Sequence, residues 1–95
     1  MKYSIVIPTL NEESTLVSNL KFLQSLKEKL DAEIIVVDGQ SCDKTKEIAR
    51  SLTDKIYDVS PSRSSQLNKG IMHADGEYYI FLHVDTIITG EGINS

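Results

Sequence analysis

Short, continuous apolar runs alternate along this chain with longer stretches in which apolar residues recur every three or four positions. The first rhythm predicts buried strands and the second predicts amphipathic helices. Tyr3 to Ile7 is a β-branched run that Pro8 should stop. Glu12 to Leu30 carries Leu16, Leu20, Leu23, Leu26 and Leu30 along one face, with Asn11 as the expected N-cap. Glu33 to Asp38 is apolar without alternation, as expected of a strand covered on both faces. A second helix is predicted from Asp43 or Lys44 to Leu52, started by Ser41 and Asp43, and a third strand from Lys55 to Val59. Ser64 to Ala74 reads as a third helix with Leu67, Ile71 and Ala74 inward and Gly70 permitting close packing. Asp75-Gly76 then turns the chain into a fourth strand, Glu77 to His83.

The order β-α-β-α-β-α-β predicts an α/β fold, a Rossmann-like parallel sheet with right-handed crossovers and helices on both faces. The expected strand order is 3-2-1-4. Ligands of such sheets bind outside the carboxyl ends of the strands, where the strand order reverses. That rim gathers Pro8-Thr9-Leu10-Asn11-Glu12, Asp38-Gly39, Ser60 to Gln66, and His83-Val84-Asp85.

Composition narrows the choice of ligand and compartment. The 95 residues suit one domain, with a polar tail from about residue 87. Net charge is −4 with no basic stripe, which argues against nucleic acid as a partner. No apolar run approaches the roughly 20 residues that span a bilayer. Cys42 is the single cysteine, so a reducing, cytoplasmic setting is expected.

The first rim loop lacks the glycines of a phosphate-binding turn, and Glu12 and Glu13 already complement the positive end of the helix they open. It suits hydroxyl or base donors instead. Asp38, before Gly39, reads either as an exposed acceptor for a nucleobase or ribose or as a structural turn residue. His83 and Asp85, two apart at a strand end, point to one side and offer ligands for Mn²⁺ or, through Asp85, Mg²⁺. Two strand spacings, roughly 10 Å, separate Asp38 from Asp85, so one ion cannot hold both. Arg63, just before the third helix, could meet an anion with the helix N-terminus, or could be a solvated surface residue. Together these positions suit a nucleoside diphosphate: base at Asp38, ribose near Glu12, diphosphate at the metal and Arg63.

The strings "IVIPTLNEE", "IIVVDGQSCDKT", "RSSQLNKG" and "GEYYIFLHVDT" occur in the order and spacing of family 2 glycosyltransferases of the GT-A fold. The likeness runs to about Thr86 and looks nearest to the bacterial radical-SAM/selenodomain-associated transferases. The resemblance implies a nucleoside-diphosphate sugar as donor, UDP- or GDP-linked, held with Mn²⁺ or Mg²⁺. It carries Pro8, Thr9, Leu10, Glu12 and Asp38 to the nucleoside, Arg63 to the diphosphate side and Asp85 to the metal. His83 stands where the family's metal motif usually has its first aspartate. The family's acceptor-binding half and its catalytic base lie beyond this chain, which is therefore expected to be an N-terminal fragment, inactive by itself. In full-length form such proteins can be membrane-peripheral. The sheet edge that the missing half would cover is expected to promote self-association. The alternative is a non-catalytic nucleotide-binding or assembly module completed by another chain. A receiver-type signalling domain fits poorly, because His-x-Asp ends the fourth strand where a Ser or Thr is wanted.

Overall fold

The structure is a computed structural model and describes residues 2–84. Its elements are β1 (Tyr3–Thr9), α1 (Glu13–Lys29), β2 (Ala32–Asp38), α2 (Thr45–Ala49), β3 (Ile56–Asp58), α3 (Arg63–Met72) and β4 (Tyr78–Phe81). All pairings are parallel, as the alternation predicts, and the strand order is the expected β3-β2-β1-β4.

The two central strands are apolar on both faces because both faces are covered. Ile5, Ile7, Ile34 and Val36 meet Leu16 and Leu23 of α1, together with Ala49 and Leu52. Val6, Ile35 and Val37 point the other way, toward Leu67 and Ala74. Each such Ile, Leu or Val contributes about 1.5–3 kcal/mol by leaving water. The predicted leucine stripe of α1 holds: Leu20, Leu26 and Leu30 pack against the same cluster as Leu16 and Leu23. Gly70 allows α3 to lie on the sheet, since a Cβ there would stand 2.3 Å from Val6 Cγ1.

Several boundaries differ from expectation, each for a local reason. β1 runs through Pro8 to Thr9. The Val6 carbonyl accepts from Leu82 N–H, so Pro8, two residues on, turns its nitrogen to the same side. There β4 has already ended at Phe81, the partner of Val6, and no ladder bond is lost. Asn11 is not the N-cap. It sits at φ 51°, and α1 begins at Glu13 with no side-chain cap. α2 is shorter than predicted because Ser51 and Leu52 donate to Ile48 and Ala49, tightening the chain into i→i+3 turns. β3 and β4, the outer strands of the described sheet, pair over three and four residues. No helix among the described residues is long and apolar enough to cross a membrane.

Candidate functional site

The carboxyl end of β1 with the turn after it, the segment leading into α3 and the start of that helix, and the residues after β4 enclose an open cleft of about 210 Å³. Pro8, Thr9, Leu10, Glu12, Arg63 and His83 line it, so the structure brings together these six predicted site residues. Pro61, Ser62 and Gln66 complete the wall. Three larger hollows border none of the predicted positions: two, about 480 and 420 Å³, lie toward the opposite end of the sheet around Lys27, Ala32 and Leu52, and one of about 290 Å³ lies beside β3, near Lys46 and Ile56.

Hydrogen bonds between neighbouring loops shape the rim. Glu12 Oε1 accepts from the Leu10 N–H at 3.1 Å, and the Glu12 N–H donates to Thr45 Oγ1 at 2.9 Å. Asp43 bridges two helix starts, accepting from Glu13 N–H through Oδ2 and from Thr45 N–H through Oδ1. The Thr45 hydroxyl also donates to Asp43 and holds its carboxyl below the usual range. Asp43 thus serves the start of α2, as expected. Ser41 does not: its hydroxyl donates to Asp38 and accepts from Asn11 N–H.

Asp38 corrects the expectation of an exposed acceptor. It is fully buried. Oδ1 accepts from the hydroxyls of Thr9 (2.7 Å) and Ser41 (2.6 Å), and Oδ2 accepts from Ser41 N–H at 2.6 Å. The structural-turn alternative is the one the fold realises, because the strand register places Asp38 beside Thr9.

Gln66 was assigned no role by sequence reasoning, yet it is only 7% exposed and ties the site together. Its Nε2 donates to the carbonyls of Thr9 and Val37, both at 3.0 Å, pinning α3 to the ends of β1 and β2. The signal was present: Gln66 lies one helical turn before Gly70, on the face that meets the sheet.

Charge is distributed unevenly over the rim. α1 has Glu13 in its first turn, whereas α3 has no acidic residue there and begins with Arg63 behind its Ser62 cap. Ser62 Oγ accepts from Ser65 N–H at 3.1 Å. The α3 side of the cleft therefore favours an anion, and the α1 side favours donors such as hydroxyls.

Asp85 lies outside the described residues. Among those described, no group of three or more His, Cys, Asp or Glu side chains is arranged to hold a metal ion. His83 borders the cleft but does not make a metal centre with them.

Residues 4–94 match the family model described as glycosyl transferase family 2. The chain belongs to that family. A dolichol-phosphate mannosyltransferase of Pyrococcus furiosus is 34% identical over 92 residues, covering 90% of this chain and 26% of the relative. Staphylococcus aureus TarS 1–349 in complex with UDP-GlcNAc superimposes with a TM-score of 0.72 and 28% identity, over 99% of this chain and 29% of that one. A Mycobacterium tuberculosis glucosyl-3-phosphoglycerate synthase in complex with Mn²⁺ and UDP-glucose shares the fold, with a TM-score of 0.71 and 24% identity. That match covers 88% of this chain and 33% of the synthase. The chain spans less than a third of the length of the curated relatives it matches.

Proposed function

We propose that this family 2 domain binds a nucleoside-diphosphate sugar, UDP- or GDP-linked, in the rim cleft as the donor for glycosyl transfer. The observation that carries the reading is the convergence of Pro8, Thr9, Leu10, Glu12, Arg63 and His83 on one cleft at the carboxyl ends of the strands. Pro8 and Leu10 offer apolar surface to the base, and Glu12 accepts from ribose hydroxyls. Arg63 and the α3 N-terminus receive the diphosphate. Asp85, with His83, is the proposed metal position. A bound Mn²⁺ or Mg²⁺ would supply neutralisation of the diphosphate oxygens. The nucleotide sugar bound by TarS and the Mn²⁺ in the mycobacterial synthase support this reading.

Transfer also needs a base for the acceptor hydroxyl. Glu12 holds the Leu10 N–H and Asp38 is buried, so neither is placed for it, and we assign donor binding to this chain without turnover. The narrower kinship with radical-SAM-associated transferases rests on the sequence motifs alone. The exposed thiol of Cys42 suits a reducing compartment, and we place the protein in the cytoplasm.

Calorimetry with UDP and GDP, each with and without Mn²⁺, tests the reading on wild type, Asp85→Ala and Arg63→Ala. Mn²⁺-dependent binding should disappear in Asp85→Ala and weaken about tenfold or more in Arg63→Ala. Folded wild type that binds neither nucleotide would overturn the reading.

A second reading, an assembly module joined through its sheet edge, has its own observation: Tyr78, Tyr79 and Phe81 of β4 are exposed. The two readings are compatible, since β4 and the cleft expose different groups.

A further inference from the structure

We propose that Asp38 is a positioning residue for the donor cleft and does not itself touch the nucleoside: its carboxylate joins the turn after β1 to the turn after β2 and thereby sets where Leu10, Asn11 and Glu12 stand. The proposal rests on the donor-binding reading and alters which groups meet the base.

Three observations carry it. The first is saturation. Three donors from Thr9 and Ser41 already occupy the Asp38 oxygens, and the side chain has no exposed surface. A carboxylate has about four lone-pair positions, so little capacity is left and none of it faces the cleft.

The second is connectivity. Ser41 Oγ passes the link onward by accepting from Asn11 N–H at 2.8 Å, and Asn11 Oδ1 returns it by accepting from Cys42 N–H at 2.7 Å. The Gly39 N–H donates to the Thr9 carbonyl at 2.8 Å, so backbone and side chains lock the same two turns.

The third is enforced backbone. Asn11 and Gln40 both lie in the left-handed region, at φ 51° and 65°. Non-glycine residues hold that conformation when surrounding bonds impose it. Each lies in one of the two turns that Asp38 joins. Leu10 and Glu12 flank Asn11 on the cleft wall, so releasing Asn11 displaces both contacts at once.

Positioning and direct contact separate by the pattern of loss across nucleotides. Binding of UDP, GDP and N3-methyl-UDP is measured by calorimetry with Mn²⁺ on wild type, Ser41→Ala, Asp38→Asn and the double variant. A positioning role predicts that Ser41→Ala and Asp38→Asn each weaken all three nucleotides by a similar factor, about tenfold. The double variant should lose little more than Asp38→Asn, because both act through one link. A loss in Asp38→Asn confined to UDP and GDP, and absent for N3-methyl-UDP, would mean direct contact with a base N–H and would overturn the proposal.

Hydrogen exchange supplies a readout that does not depend on nucleotide. The Asn11 and Ser41 amides should exchange at least tenfold faster in Ser41→Ala and Asp38→Asn, while amides of Ile5 and Ile35 keep their protection. Unchanged Asn11 exchange in a folded Asp38→Asn overturns the positioning role. Wild type that binds no nucleotide overturns the donor reading alone, and the exchange result then decides for or against positioning.

Discussion

Glu33 carries a carboxylate into the amino-terminal end of the sheet, where it is 6% exposed. It accepts from Ser4 Oγ at 2.5 Å, from Asp75 N–H at 2.6 Å and from Lys55 Nζ at 2.5 Å. Burial alone would raise its pKa, but the bonds from Lys55, Ser4 and Asp75 outweigh that and hold it below 4.5. Lys55, bonded to Glu33 and Asp75, is held above 10.5. A depressed carboxyl contributes stability that is present above its unfolded pKa and lost as pH falls through the folded one. The raised Lys55 contributes stability that is complete below about 10.5 and lost as pH rises through its folded value. Thermal unfolding followed from pH 7 down to pH 3 should therefore show a fall beginning near pH 4.5 that is shallower in Glu33→Gln. Lys55→Met should cost about 2–3 kcal/mol, because it strands the Glu33 carboxylate; a third of Lys55 is exposed, so the loss stays below that of a fully buried pair. None of this network was legible from sequence. Ser4, Glu33, Lys55 and Asp75 lie on separate segments, and strand register brings them together.

Among the elements, α3 joins scaffold and site. Its C-terminal half needs Gly70 against Val6, and its N-terminal half supplies Gln66, Arg63 and an uncompensated helix end to the cleft. Gly70→Ala should destabilise by about 1–3 kcal/mol in urea titration, as in other overpacked contacts. If α3 is the element that sets the cleft, the same variant should weaken UDP binding without a side chain near the ligand having changed. Normal stability in Gly70→Ala would show that α3 can move off the sheet at little cost. The existence and order of the elements were legible because period-2 and period-3.6 patterns are local properties. The ends of α2, β3 and β4 were not, since outer strands and a short helix stop where their packing partners stop.

At the scale of the whole molecule, β4 is the least covered of the described elements. Tyr78, Tyr79 and Phe81 are 56%, 48% and 45% exposed. A strand that is outermost among the described ones and carries exposed aromatic side chains is a site for association. Sedimentation velocity across a concentration series should show self-association in the wild type and less of it in Phe81→Lys; a concentration-independent monomer in the wild type would refute the edge-mediated assembly.

The sequence by itself determined the fold class, the parallel sheet and the location of the rim, because hydrophobic period and chain order dictate which faces are buried and which ends converge. It also marked the segments that hold Pro8, Thr9, Leu10, Glu12, Arg63 and His83, since residues placed just after strands converge on one edge of a parallel sheet; the resemblance to family 2 glycosyltransferases picked out these residues among them. Only the tertiary structure decided the roles of Asp38 and Gln66. Asp38 ends a strand as an exposed ligand would, and the position of Gln66 one turn before Gly70 gives its face of the helix but not the carbonyls it bonds. Burial and hydrogen-bond partners distinguish these cases, and both depend on segments about thirty to sixty residues away in the chain.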